Sequence, residues 1–236
     1  MKRICVLLAV LSLAMFETSA QANLLDDGSF TLATSGSATS NSDWVLTRNF
    51  PDPDNPLDGA AQFNSGFANS ENPAAGTGVW FKSFLGERGG DANDPAADAD
   101  VTQSLVAAVS GDYHLRFRAA AEVNFMADAW GVSLSSSGPA GSVSVDLLTN
   151  RPTPAGNIGG LASPNYGGTS YDLVLTGVDA GDTLTVSGFM VQGVDANIPG
   201  GQSAFLDRFV LQVPEPMSCA LVGLGMLGLL PMRRKT

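Results

Sequence analysis

The sequence predicts an all-β protein, an antiparallel β-sandwich of the jelly-roll type, followed by a single C-terminal transmembrane helix. Between residues 23 and 213 no stretch keeps a helical period, whereas short runs of alternating apolar and polar residues recur throughout. Gly, Pro, Asn, Asp and Ser interrupt these runs, as they do in turns. This succession of short runs is typical of a two-sheet sandwich.

Ten segments have the length and alternation of strands: 23–32, 44–48, 79–85, 101–109, 113–123, 130–135, 143–148, 171–176, 183–191 and 204–213. In the clearest one, which starts at Tyr113, period two places the apolar residues on a core face. The opposite face then carries three basic or titratable residues, His114, Arg116 and Arg118. Irregular connections at 49–60, 86–100 and 150–168 separate some of the strands.

The N-terminus has the organisation of a signal peptide covering residues 1–22. Lys2 and Arg3 precede an apolar stretch at 4–16, and Ala20 and Ala22 occupy the small-residue positions of a cleavage site. We therefore expect export through the Sec translocon and cleavage by signal peptidase. The exported β-sandwich domain is expected to span residues 23–212.

The C-terminus combines three features within residues 213–236. The motif Pro214–Glu215–Pro216 is followed by an apolar run at 217–232 and by a basic tail at 233–235. The run would form a helix of roughly 24 Å at about 1.5 Å per residue, which is just long enough to cross a bilayer core. Because Lys and Arg resist translocation, the basic tail should stay cytoplasmic and the preceding domain should lie outside the inner membrane.

Together, the motif, the apolar span and the basic cluster resemble the PEP-CTERM sorting signal of Gram-negative bacteria. The resemblance implies that exosortase, a membrane transpeptidase-like protease, recognises Pro214, Glu215 and Pro216, with Arg233 and Arg234 completing the signal. The protein would then be held transiently in the inner membrane before it reaches the cell surface or the extracellular matrix. The alternative is a plain C-terminal membrane anchor.

The exported domain is strongly acidic and lacks cysteine. Residues 23–213 contain seven basic and 21 acidic residues, a net charge of −14. Nucleic acids and anionic lipid surfaces are therefore poor partners, whereas divalent cations are compatible with this charge. Cys5 and Cys219 both lie in the terminal targeting segments, so the domain has no disulfide and depends on packing for its stability.

Three parts of the domain resemble the galactose-binding-like jelly-roll carbohydrate-binding modules. They are the opening segment 23–30, the pair formed by 101–105 and 111–117, and the closing segment 205–211. The resemblance implies a sandwich fold and a carbohydrate-binding function. It also implies that the closing-strand residue Asp207 helps to bind a structural calcium ion that ties the first strand to the last, with further ligands near Gly28.

The strand period of two independently suggests that Asp207 has a binding partner, because it places this carboxylate on the same face as Phe205, Phe209 and Leu211. A carboxylate on an apolar face is costly unless it is paired or bound to a metal. An Arg side chain or a backbone N–H is the alternative partner to calcium.

Two further groups are candidates for binding. Asp91, Asp94 and Asp98 belong to an oxygen-rich loop of the kind that hard cations favour, although the spacing is not that of an EF-hand and a solvated acidic loop is the alternative. The row His114, Arg116 and Arg118 could line a groove for acidic polysaccharide, since Arg binds carboxylates bidentately. The alternative is pairing across the sheet with Asp and Glu.

The sequence offers little for catalysis. It contains one His, and the nucleophile motif Gly-x-Ser-x-Gly does not occur. We therefore expect an exported, non-catalytic surface or extracellular-matrix protein associated with exopolysaccharide. The alternatives are a carbohydrate-binding module with a specific glycan ligand and a secreted polysaccharide hydrolase, which would need two carboxylates facing each other across a cleft.

Overall fold

A computed structural model describes residues 22–31, 37–48, 60–64, 77–83, 98–121, 125–152, 169–191 and 203–213. No helix among these residues is long and apolar enough to span a membrane. Some sequence predictions fall on residues outside the described ranges: the cleavage-site residue Ala20, the motif Pro214, Glu215 and Pro216, the apolar run 217–232, the tail residues Arg233 and Arg234, and the loop residues Asp91 and Asp94.

The described residues form an all-β sandwich of two antiparallel sheets, which confirms the sandwich part of the predicted fold class. The strands are β1 Ser37–Ala38, β2 Val45–Arg48, β3 Ala61–Asn64, β4 Gly78–Lys82, β5 Ala99–Val106, β6 Gly111–Ala121, β7 Ala129–Ser136, β8 Ser142–Asp146, β9 Thr169–Val178, β10 Thr183–Val191 and β11 Ser203–Gln212. The six-stranded sheet has the order β1-β3-β4-β11-β6-β9, and the five-stranded sheet has the order β2-β5-β10-β7-β8.

The core lies between the two sheets and is built by the predicted period-two alternation. On β6, Tyr113, Leu115 and Phe117 are buried, and on β10 Leu184 and Val186 are buried opposite them in the sandwich. The residues between them point to the outer faces. Each sheet therefore has one apolar face in the core, and the outer faces carry the polar residues of these two strands.

The opening segment 23–32, predicted as a strand, is not one in the described part, residues 22–31. Its backbone turns, because Asp27 and Phe30 have positive φ values of 43° and 53° and the Phe30 N–H donates a 2.9 Å hydrogen bond to the Asp27 carbonyl. Positive φ values of this size interrupt a regular extended strand. Leu25 and Phe30 both lie in the core, although they are five residues apart and would point to opposite faces of a regular strand.

The opening segment nevertheless docks along β11 through the side chain of Asn23. The Asn23 Nδ2 donates to the Phe209 carbonyl at 2.9 Å, and its Oδ1 accepts from the Leu211 N–H at 2.8 Å. The Leu24 N–H adds a bond to the Leu211 carbonyl, and the Phe209 N–H donates to the Gly28 carbonyl. A side chain thus supplies the hydrogen bonds that a regular ladder would otherwise provide.

Strands β1 and β3 were not predicted. The pattern of β3 explains its omission, because Ala61, Gln62 and Phe63 are all buried and the strand covers only four residues. A short strand with both faces buried has no apolar–polar alternation to detect.

The closing strand β11 carries a bulge that period two did not predict. The register with β6 pairs Asp207 with Arg118 and then Val210 with Arg116, so one extra residue is inserted, and Arg208 has a positive φ of 55°. The placement of Asp207 on the face of Phe209 and Leu211 was therefore wrong, whereas its placement with the buried Phe205 is correct, and Asp207 itself is only 8% exposed. Leu206 and Phe209 point into the core on either side of the bulge, and Asp207 lies with Phe205 on the outer side.

Candidate functional site

The predicted row on β6 lies on the outer face of the six-stranded sheet. His114, Arg116 and Arg118 alternate there with the buried core residues of the same strand. Their neighbours on the edge strand β9 include Asp172, which lies opposite Arg116 in the register. The sheet thus brings the three side chains together on one surface.

Asp172 pairs with two of these residues. Its Oδ1 lies 3.6 Å from His114 Nδ1, and its Oδ2 lies 3.5 Å from Arg116 Nε. The Arg116 side chain is 62% exposed and that of Asp172 is 44% exposed. Exposed ion pairs of this kind contribute at most about 1 kcal/mol, so an incoming anionic group could exchange for Asp172 at little cost.

Arg208 brings a third guanidinium to the same surface. It lies in the β11 bulge and lines an open depression of 430 Å³ over β11, β6 and β9; the lining residues are Arg116, Phe117, Arg118, Ser170, Tyr171, Asp172 and Arg208. We call this the arginine depression. Its volume lies within the roughly 300–1,000 Å³ typical of ligand sites.

Sequence reasoning missed Arg208 because its orientation depends on the bulge. In an uninterrupted β11, a residue directly after the outward Asp207 would point into the core. The bulge adds a residue, and the Arg208 N–H donates a 2.6 Å hydrogen bond to Asp207 Oδ1 that holds the turn of the backbone. No sequence pattern marks a non-glycine residue that takes a positive φ in a strand.

The aromatic residues near the site pack within the protein. Phe117 stacks on Tyr171 with ring centroids 5.2 Å apart, and Trp80 stacks on Phe205 at 6.3 Å. Phe205 is 7% exposed, and the neighbouring Lys82, which is 3% exposed, places Nζ 4.4 Å from the centroid of the Trp80 ring. These rings stabilise the sheet and are not arranged as open stacking platforms.

Among the described residues, Asp207 is not part of a cluster of metal-ligating side chains. No three His, Cys, Asp or Glu side chains among them are grouped so that they could hold a metal ion. Asp207 accepts a hydrogen bond from a backbone N–H, and the Gly28 carbonyl accepts one from Phe209. Structural calcium at Asp207, and at the half-buried Asp98, stays a prediction, and we derive no function from it.

No protein-family model matches the chain, and no curated protein sequence matches it. Solved structures with a similar fold include a family 61 carbohydrate-binding module in complex with β-1,4-galactotriose, with 17% identity and a TM-score of 0.42 over 73% of this chain and 89% of that one. A second is a putative sugar binding protein from Bacteroides thetaiotaomicron, with 11% identity and a TM-score of 0.43 over 81% and 99%. A third is a family 35 carbohydrate-binding module from Clostridium thermocellum, with 12% identity and a TM-score of 0.37 over 71% and 90%. Similarity this low transfers no residue of those proteins to this chain.

Proposed function

We propose that the chain is an exported, non-catalytic β-sandwich that binds carbohydrate in the arginine depression, and that the ligand carries carboxylate groups. The observation that supports this proposal is the convergence of Arg116, Arg118 and Arg208 in one open depression of a domain whose net charge is −14. In such an acidic domain a cluster of guanidinium groups is the part of the surface that attracts anions.

The chemistry of the lining residues suits an acidic sugar. Guanidinium groups bind carboxylates through paired N–H donors, and the Ser170 hydroxyl can donate to or accept from a sugar hydroxyl. Asp172 is the one carboxylate among the lining residues. Glycoside hydrolysis usually needs two carboxylates across a cleft, so this depression is suited to binding rather than to cleavage.

Replacing all three arginines with Gln should abolish binding of uronate-rich polysaccharides such as polygalacturonate or alginate. Arg116 is largely exposed, and an exposed ion pair is worth at most about 1 kcal/mol, so Arg116→Gln alone should weaken binding up to about fivefold. Affinity electrophoresis in gels containing these polysaccharides measures the effect, and binding should also weaken steeply as salt is added.

Two variants control this experiment. Asp172→Asn removes the competing carboxylate and should strengthen binding. Arg48→Gln, on β2 of the other sheet, makes the same charge change as Arg116→Gln and should leave binding unchanged. Melting temperatures measured in parallel confirm that each variant is folded. Unchanged retention of the folded triple variant would overturn the proposal.

We also propose that this domain is delivered to the cell surface or extracellular matrix by exosortase, as the terminal segments of the sequence imply. If so, intact mass of the protein from its native cells should show loss of the segment after the Pro214–Pro216 motif. Substituting Glu215 with Ala should leave the full-length chain in the inner membrane. A wild-type chain that stays full-length in that membrane would instead indicate a plain anchor.

A further inference from the structure

The outer face of the five-stranded sheet is lined by hydroxyl groups. Two neighbouring rows cross β5, β10, β7 and β8 in register, and every outward position in both rows is Ser or Thr. The first row is Thr102, Ser187, Ser133 and Ser144, and the second is Ser104, Thr185, Ser135 and Ser142. Some of the hydroxyls form hydrogen bonds between neighbouring strands, such as the 2.8 Å bond between Ser104 Oγ and Thr185 Oγ1.

A third row, next to the first, contains an aromatic ring. It consists of Asp100, Phe189, Gly131 and Asp146 on the same four strands. A Cβ atom on Gly131 would lie 2.9 Å from Phe189 Cζ and 3.3 Å from its Cε1. The half-buried Phe189 ring therefore extends over β7 on the outer face, and Gly131 provides the space that it occupies.

Asp100 lies on the other side of this ring and is joined to the first hydroxyl row. The Ser187 hydroxyl lies 3.1 Å from Asp100 Oδ1 and 3.0 Å from Oδ2. Burial raises the pKa of Asp100, and the hydrogen bond from Ser187 opposes that shift. The carboxylate is thus a fixed acceptor beside the ring, with hydroxyls as its immediate neighbours.

The charge of this face differs from that of the arginine depression. Among the described residues, the outward positions of β5, β7, β8 and β10 include no Lys or Arg, and their only carboxylates are Asp100 and Asp146 in the Phe189 row. An acidic glycan would be repelled by these two carboxylates and would find no cation. The face is complementary to an uncharged, polyhydroxylated chain.

We propose that this face is a second carbohydrate site, specific for neutral polysaccharide and centred on Phe189. The apolar C–H side of a pyranose ring packs on the Phe189 ring, Asp100 accepts hydrogen bonds from ring hydroxyls, and Ser187 and Ser133 extend the contact along the chain. Aromatic rings supply large contact area at low entropic cost, and the fixed hydroxyls exchange bonds with water for bonds with sugar. The site shares no residue with the arginine depression.

Titration with soluble neutral polysaccharides of known linkage, namely β-1,4-galactan, hydroxyethylcellulose and xyloglucan, tests the proposal. The full domain should bind at least one of them, and Phe189→Leu should weaken that binding tenfold or more while retaining apolar bulk. Ser133→Glu, which places a charge beside the ring without changing the core, should weaken it to a similar extent. Val106→Ala, an exposed apolar change at the far end of β5 on the same face, should leave it unchanged.

The variants test the two proposed sites independently. The triple arginine variant should retain neutral binding, and Phe189→Leu should retain binding to polygalacturonate. The second site is overturned if no neutral polysaccharide binds, or if folded Phe189→Leu and Ser133→Glu variants bind as well as the wild type. Either result leaves the proposal for the arginine depression untouched.

Discussion

Gly28→Ala is expected to lower the free energy of unfolding of the domain by about 3 kcal/mol or more, at or above the upper end of what most single substitutions cost. A Cβ atom on Gly28 would lie 1.9 Å from the Phe209 carbonyl oxygen and 2.7 Å from Asn23 Nδ2. The first contact is with backbone, so no side-chain rotation can relieve it. The opening segment would have to move away from β11 and lose the hydrogen bond from the Phe209 N–H to the Gly28 carbonyl.

Chemical denaturation of the exported domain measures this effect. Gly177→Ala is a matched control, because Gly177 has a φ of 72° and a Cβ atom at this position would have no neighbouring atom within 4 Å. That variant should cost only the conformational penalty of about 1–2 kcal/mol for a left-handed residue. If Gly28→Ala were no more destabilising than Gly177→Ala, the docking of the opening segment on β11 would be incorrect.

Phe209→Ala should destabilise the domain by about 3–5 kcal/mol, the usual cost of removing a buried Phe. The Phe209 ring is fully buried and lies at the centre of the aromatic core, 5.5 Å from the ring centroids of Phe30 and Phe117 and 5.4 Å from that of Trp44. Phe30 belongs to the opening segment, Trp44 directly precedes β2, and Phe117 lies in β6. Loss of one ring therefore leaves a cavity between parts of the chain that are far apart in sequence.

Val210→Ala is the control for this prediction, because Val210 is next in the chain, on the outer side of the bulge and only half-buried. It should cost well under half as much as Phe209→Ala, and comparison of the two midpoints of denaturation tests the difference. Equal losses would mean that the bulge does not place Phe209 in the core and Val210 outside it.

Alternation along single strands was predictable from the sequence. The predicted segment 183–191 coincides with β10, and the outward placement of His114, Arg116 and Arg118 follows from period two alone. Both depend on local pattern, which each strand carries within itself. Errors arose where backbone conformation departed from that pattern, at the positive φ of Asp27, Phe30 and Arg208.

The candidate sites depend on register, which a single sequence does not reveal. Arg208 lies beside Arg116 and Arg118 only because β11 pairs with β6 and has a bulge between Asp207 and Val210. The hydroxyl positions of β7 and β10 are each visible as alternation, but their alignment in common rows depends on pairings between strands separated by about 50 residues in the chain. Long-range pairing of this kind is set by the packing of the whole sandwich.

The position of β11 has a mechanical consequence. This strand leads to the C-terminal segment, yet it lies inside the six-stranded sheet between β4 and β6, and Asn23 and Gly28 hold its second half. Tension applied at Val213 therefore enters the sheet through an interior strand, and peeling the C-terminus away requires several backbone hydrogen bonds to break. Because Arg208 belongs to β11 and Arg116 to its neighbour β6, a load between a glycan in the arginine depression and the C-terminus would be carried in part by the ladder between these two strands.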